Sequence, residues 1–299
     1  MTFVRCSIDE RYVNPLFEVF DGGDFILSSY RDVEDELTTM QIFVPEAADA
    51  PHAAEALQAA GRIVGLELTL EQGEIADEDW KLSYRKHFKT DVLSPRLAIV
   101  PEWEVEKFRA SPAAAANPGI KTLILDPGMA FGTGQHATTR ACLEYIDALA
   151  VENADRSFLD VGCGSGILAI AAKLEGFREV AGFDIDPDAV QNANENAEKN
   201  GLSLGFVRGD LCNKSTLPGV QKTGDRSFDV VAANVLGPVL IRFASEIAPL
   251  AVPGGKLILS GILDEVYPDV KRAYEAQGYA EVSNKLVGEW RTGLFVRTA

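Results

Sequence analysis

Phe158-Leu-Asp-Val-Gly-Cys-Gly-Ser-Gly-Ile-Leu-Ala-Ile170 is the stretch whose reading decides the fold. It runs from an apolar strand through a glycine turn into an amphipathic helix. Gly162, Gly164 and Gly166 allow the backbone to bend sharply and to approach a ligand closely, because no Cβ intervenes. The helix start beyond them offers free N–H groups and partial positive charge to an anion. A dinucleotide site carries GxGxxG at this turn. Here the third glycine comes one residue early, and Ile167 stands where that pattern requires glycine. Asp160, just before the turn, would repel a pyrophosphate. A zwitterionic ligand fits better, and S-adenosylmethionine supplies an ammonium, a carboxylate and a sulfonium cation. Asp160, Gly162, Gly164 and Gly166 are therefore cofactor-binding candidates.

Outward from the turn, the next strand ends in Ala181-Gly-Phe-Asp-Ile-Asp-Pro187, with Asp184 22 residues after Gly162. A carboxylate at that strand end can accept hydrogen bonds from both ribose hydroxyls. Asp186 and Asp188 flank Pro187 and read as helix-start residues instead. Asp210, in Arg208-Gly-Asp-Leu211, is placed to reach an adenine amino group, although Gly-Asp is also a common turn. Asn234 closes the apolar run that ends Ala232-Ala-Asn-Val-Leu-Gly-Pro238, at the carboxyl end of a strand, where open α/β sheets hold their ligands.

From Lys121 onward, apolar strands are predicted at 121–126, 157–161, 179–184, 204–208, 228–233 and 256–261. Helices are predicted at 136–150, 166–176, 187–200, 237–250 and 264–277. This alternation implies a doubly wound α/β fold, a parallel sheet with helices on both faces. Two last strands, near 279–287 and 290–297, are joined by a turn too short for a parallel crossover, so at least one runs antiparallel. The first eighty residues read βαββαβ, a small ferredoxin-like α+β unit, closed by a strand at Leu66–Leu70. Residues 79–118 read as a connector. Its stretch SPAAAANPG at 111–119 has no amphipathic pattern and is expected as loop. The expected domains are 1–78, a linker at 79–118, and 119–299.

The chain has 299 residues, 46% hydrophobic and 24% charged, with a net charge of −17. Residues 1–80 hold four arginines as their only cations against eighteen carboxylates, a net of −14. Such a surface repels a phosphate backbone and attracts cations, so the expected partner is a basic protein, not nucleic acid. Cys6, Cys142, Cys163 and Cys212 are scattered, with no paired spacing for a metal. No run of about eighteen apolar residues could span a membrane, and a cytoplasmic monomer is expected.

Asp126-Pro-Gly-Met-Ala-Phe-Gly-Thr-Gly-Gln-His-Ala-Thr-Thr139 resembles the segment before the sheet core in bacterial ribosomal protein L11 methyltransferases. The block from Leu159 to Gly201, the Asn234 segment, Leu257–Leu263, Asp79-Trp80 and Arg96–Trp103 are similar to that family as well. The resemblance implies a class I methyltransferase fold with a seven-stranded sheet, an N-terminal substrate-recognition domain, S-adenosylmethionine as cofactor, and methylation of lysine or other amine groups on ribosomal protein L11. Position by position it implies that Thr139, Gly162, Asp184 and Asn234 contact the cofactor, and that Phe131, Gly132 and Thr133 line its pocket. The chain departs from the family's Gly-Thr-His-Pro-Thr-Thr at Gln135 and Ala137.

No catalytic base stands out. Asn234 and His136 are the candidates, and a histidine following a glycine loop more often bonds structurally. Two other readings compete. One keeps the cofactor and moves the methyl group to another protein or a small amine. The other makes the chain a non-catalytic nucleotide-binding sensor, against which the glycine spacing argues. No Asn-Pro-Pro-Tyr motif of nucleic-acid methylation follows the fourth strand.

Overall fold

In a computed structural model, residues 2–20, 25–30, 37–44, 46–74, 89–125, 136–218 and 227–298 are described. The chain divides into two compact units, Met1–His87 and Phe88–Ala299. The first unit contains strands β1 (Thr2–Ile8), β2 (Leu27–Tyr30), β3 (Thr38–Val44) and β4 (Glu71–Glu74), with helices Val13–Val19 and Ala50–Ile63. Its sheet order is β2-β3-β1-β4 and every pairing is antiparallel. This is the order of a ferredoxin-like unit, as expected. Alternation along β1 and β3 sends Val4, Cys6, Ile8, Met40, Ile42 and Val44 to one face, where they meet Leu16 and Leu57 of the two helices. The last strand lies a few residues beyond the expected Leu66–Leu70. Leu68 is instead packed over Gly61, too close for any side chain there.

Among the described residues the second unit holds a three-stranded and a seven-stranded sheet. The smaller comprises β5 (Asp91–Val92), β6 (Leu97–Pro101) and β7 (Lys121–Leu125), with β6 and β7 parallel. The expectation of a connector over 79–118 is corrected here for residues 89–118. β6 is buried along its whole length, and Ala98 and Val100 pack against Val105 and Phe108. The alanine run expected as loop is a short helix, Pro112–Ala116, whose start Ser111 caps through its hydroxyl. β7, read as part of the main sheet, belongs to this smaller one.

The larger sheet comprises β8 (Ser157–Val161), β9 (Glu179–Asp184), β10 (Val207–Arg208), β11 (Phe228–Asn234), β12 (Ala251–Leu263), β13 (Tyr279–Val287) and β14 (Trp290–Arg297), in the order β10-β9-β8-β11-β12-β14-β13. β10 to β12 run parallel, and β14 is antiparallel to both β12 and β13. Successive residues of the central strands serve opposite faces. Phe158, Val230, Ile258 and Leu294 meet helices Ala137–Glu152 and Ile167–Glu175, while Leu159, Val231, Leu257 and Phe295 meet helices Gly237–Arg242 and Tyr267–Glu275. Buried on both faces, such strands read as continuous apolar runs. This is the class I methyltransferase arrangement. The helix expected at 237–250 is broken into Gly237–Arg242 and Ala244–Ile247.

Candidate cofactor and active site

The strand order reverses between β8 and β11, and a crevice opens outside the carboxyl ends of strands at such a switch point. A cavity of about 570 Å³ lies there, within the roughly 300–1,000 Å³ usual for small-molecule sites. It is lined by the ends of β8, β9 and β11, by the start of helix Ala137–Glu152 and by an apolar wall that includes Val235, Leu236, Val239 and Phe243.

The glycine turn has the geometry its sequence requires. Gly162, Gly164 and Gly166 take φ of 68°, 51° and 77°, a region side chains disfavour. The N–H groups of Gly162 and Cys163 both donate to the Phe183 carbonyl at 3.0 Å, which ties the turn to β9. Asp184 reaches back from β9: its Oδ2 accepts from Gly164 N–H at 2.9 Å and its Oδ1 from Asp186 N–H at 3.1 Å. Each carboxylate oxygen keeps acceptor capacity for a ligand hydroxyl.

Asp160 lines the same cavity and is only 1% exposed. Burial pushes its carboxyl up to about 7, partly opposed by a bond from Ala169 N–H at 3.2 Å and reinforced by the nearby Asp184 charge. A buried carboxyl held in this way gains most from a cation beside it. Asn234 Nδ2 donates to Thr139 Oγ1 at 3.4 Å, so two residues 95 apart in sequence share one wall.

Asp160, Gly162, Gly164, Asp184, Asp210, Asn234, Thr139 and His136 all line the cavity. Gly166 does not. A Cβ there would meet the Phe206 ring at 2.9 Å and Ala193 at 3.0 Å, so this glycine serves close packing of the turn on its neighbours. Asp210 Oδ1 is engaged by Cys212 N–H at 2.8 Å in a local turn. His136 caps helix Ala137–Glu152: its Nδ1 accepts from Thr138 N–H and lies 2.7 Å from Thr138 Oγ1, and its ring meets Trp290 edge-on at 5.2 Å. Phe131, Gly132 and Thr133 lie outside the described residues. Gly261 and Trp290 also line the cavity and were not among the sequence candidates. Glycine at 261 marks a β-bulge in β12, a signal that could have been read; Trp290 has no spacing that announces it. Among the described residues no group of three His, Cys, Asp or Glu could hold a metal ion, and no helix is long and apolar enough to cross a membrane.

Known proteins match this arrangement. The family described as ribosomal protein L11 methyltransferase (PrmA) matches residues 21–298. A ribosomal protein L11 methyltransferase of Geobacter sulfurreducens is 45% identical over 216 residues, 72% of this chain and 65% of that protein. One of Azotobacter vinelandii is 45% identical over 224 residues, 74% of this chain and 70% of that protein. One of Geobacter metallireducens is 35% identical over 294 residues, 98% of this chain and 85% of that protein. The first of these matches thus spans a little under two thirds of its relative's length. A crystal structure of ribosomal protein L11 methylase from Lactobacillus delbrueckii subsp. bulgaricus, 30% identical, superimposes with a TM-score of 0.57 over 71% of this chain and 100% of that one. With a family match covering nearly the whole chain and this site at the switch point of its sheet, the chain belongs to the ribosomal protein L11 methyltransferase family.

Proposed function

We propose that the chain transfers methyl groups from S-adenosylmethionine to amine groups, lysines included, of ribosomal protein L11. The observation that carries this reading is one cavity flanked by two carboxylates of different character, the buried Asp160 and the hydrogen-bonded Asp184, on either side of a left-handed glycine turn. That donor set fits the cofactor. Asp184 would take the ribose hydroxyls, Asp160 the positive end of the methionine moiety, and Thr139, Asn234 and Gly162 the cavity wall, with Phe131, Gly132 and Thr133 completing the pocket and Asp210 at the adenine. When bound, S-adenosylmethionine supplies an activated methyl group on a sulfonium. The chain's own residues then supply alignment and a dry site. The wall of Val235, Leu236, Val239 and Phe243 would give the target amine an apolar approach to the methyl group.

An amine of ordinary lysine pKa near 10.4 is mostly protonated at pH 7, and freeing its lone pair costs roughly 4–5 kcal/mol. An apolar lining lowers that cost by disfavouring the ammonium, whereas carboxylates raise it. We therefore give the acidic N-terminal unit a docking role, holding a basic protein in the cytosol, with the chain acting as a monomer and without nucleic acid or membrane as partner.

The test uses labelled S-adenosylmethionine with purified ribosomal protein L11, alongside other basic proteins and small amines. Label in L11 supports the reading; label only in another protein, a small molecule or RNA removes the assigned substrate. Stronger thermal stabilisation by NAD than by S-adenosylmethionine would remove the cofactor and favour a nucleotide sensor. Asp184→Ala is expected to weaken S-adenosylmethionine binding about ten- to a hundredfold, from the loss of charge-assisted hydrogen bonds; unchanged affinity would sink the assignment.

A further inference from the structure

We propose that Ser260 and Thr292, two hydroxyl residues deep in the sheet, are positioning residues that hold Thr139 and Asn234 in register on the cavity wall; this rests on the cofactor reading above. Ser260 lies on β12 and Thr292 on the adjacent β14, 0% and 1% exposed. Their oxygens are 2.6 Å apart, and Ser260 Oγ lies 3.2 Å from the Thr138 carbonyl. Each hydroxyl has one proton and a carbonyl can only accept. Ser260 must therefore donate to Thr138, which leaves Thr292 to donate to Ser260. The chain of bonds has one direction and ends on the first turn of helix Ala137–Glu152.

The next residue of that turn is Thr139, fully buried, whose Oγ1 accepts from Asn234 Nδ2. Asn234 pairs in register with Ser260 across β11 and β12. The path therefore closes on itself, from Thr292 to Ser260, to Thr138, along the peptide to Thr139, and back through Asn234 to the strand beside Ser260. Beside the Cys142 thiol, which also bonds Ser260, the surroundings are apolar, with Ile258 and Leu294 in the same cluster. Apolar side chains of the same shape at both positions would be nearly neutral for stability. A polar pair kept there serves placement of the helix start more than cohesion of the sheet.

The experiment measures S-adenosylhomocysteine affinity by calorimetry for Thr292→Val, Ser260→Ala, their double variant and Thr292→Ser, together with the Asn234 side-chain amide signals of the ligand-free proteins by NMR. Thr292→Val removes the donor at nearly constant volume and is expected to weaken binding about five- to tenfold, the size of one lost hydrogen bond. Thr292→Ser should bind within about twofold of wild type. The double variant should lose no more than the worse single one, because both act through one chain of bonds. The Asn234 amide signals should shift in Thr292→Val and return in Thr292→Ser. A Thr292→Val protein that melts earlier but binds as wild type does, with Asn234 unshifted, overturns the proposal, as do additive losses. If wild type itself binds no S-adenosylhomocysteine, the cofactor reading falls and the amide shifts alone decide the brace. Should Thr292→Val not fold, Ser260→Ala, which removes the hydroxyl with a smaller side chain, carries the same expectations.

Discussion

Asp160 carries a carboxyl into the interior of the sheet, and the consequence is a pH dependence of known sign. Its ordinary value is 3.8 and burial lifts it to about 7. Folding therefore favours the protonated form, so the stabilisation is complete below about pH 4 and is lost as pH rises through 7. Relative to Asp160→Asn, whose amide does not titrate, the ligand-free protein should lose up to roughly 4 kcal/mol between pH 4 and 8, at about 1.4 kcal/mol per pKa unit. Urea unfolding of both proteins across that range checks it, and parallel curves would refute it. A bound ammonium favours the carboxylate instead. Affinity for S-adenosylhomocysteine should then rise with pH to about 7 and level off, and Asp160→Asn should flatten that rise. Asp160 was legible because it sits just before the glycine turn, and Asp184 because it ends the next apolar strand 22 residues after Gly162. Trp290 was not, because the hairpin it belongs to is legible but the approach of that hairpin's turn to the cavity edge is set by tertiary packing.

Strands were legible where burial on both faces makes a continuous apolar run, and sheet membership was not where a side chain takes the place of a neighbouring strand. β8, β9 and β11 are apolar runs because both faces are covered, and their limits fell within a residue or so of expectation. β6 was missed because five residues between prolines and charges look like connector when the partner strand is unknown. β7 has its free edge bonded by a single side chain: Asn200 Oδ1 accepts from Ile124 N–H at 2.8 Å and its Nδ2 donates to the Ile124 carbonyl at 2.6 Å. In sequence Asn200 is merely the end of a helix. Asn200→Ala should cost about 1–3 kcal/mol in urea unfolding, because it strands a backbone donor and acceptor together; a loss under about 0.5 kcal/mol would show that water replaces the amide freely. The bulge in β12 makes a second expectation. Gly261 has φ of 79°, and a Cβ there would lie 2.6 Å from the Val235 carbonyl oxygen, a backbone atom that cannot rotate aside. Gly261→Ala should cost about 1–3 kcal/mol and also weaken S-adenosylhomocysteine binding, because Val235 follows Asn234 in the cavity wall. Lost stability with unchanged affinity would show that the bulge and the site are independent.

Across the whole molecule the charge is divided unequally. Of the net −17, −14 lies in residues 1–80, which leaves −3 for the remaining 219. The two units also have separate cores, Val4, Leu16, Met40, Ile42 and Leu57 in one and the two faces of the seven-stranded sheet in the other. Cofactor binding and protein docking should therefore respond to different variables. Exposed charges more than about 10 Å apart are screened at 0.1 M salt, and pairs buried in a cavity much less. Raising salt from 50 to 300 mM should increase KM for a basic protein substrate several-fold, while the S-adenosylhomocysteine affinity changes little, because Asp160 and Asp184 act at short range inside the sheet edge. Removing residues 1–78 should carry the same argument to its limit, abolishing methylation of the protein while cofactor affinity stays within about twofold. A KM indifferent to salt, or a truncated chain that still methylates protein at the full rate, would place substrate recognition in the second unit and leave the acidic surface with a role in solubility alone.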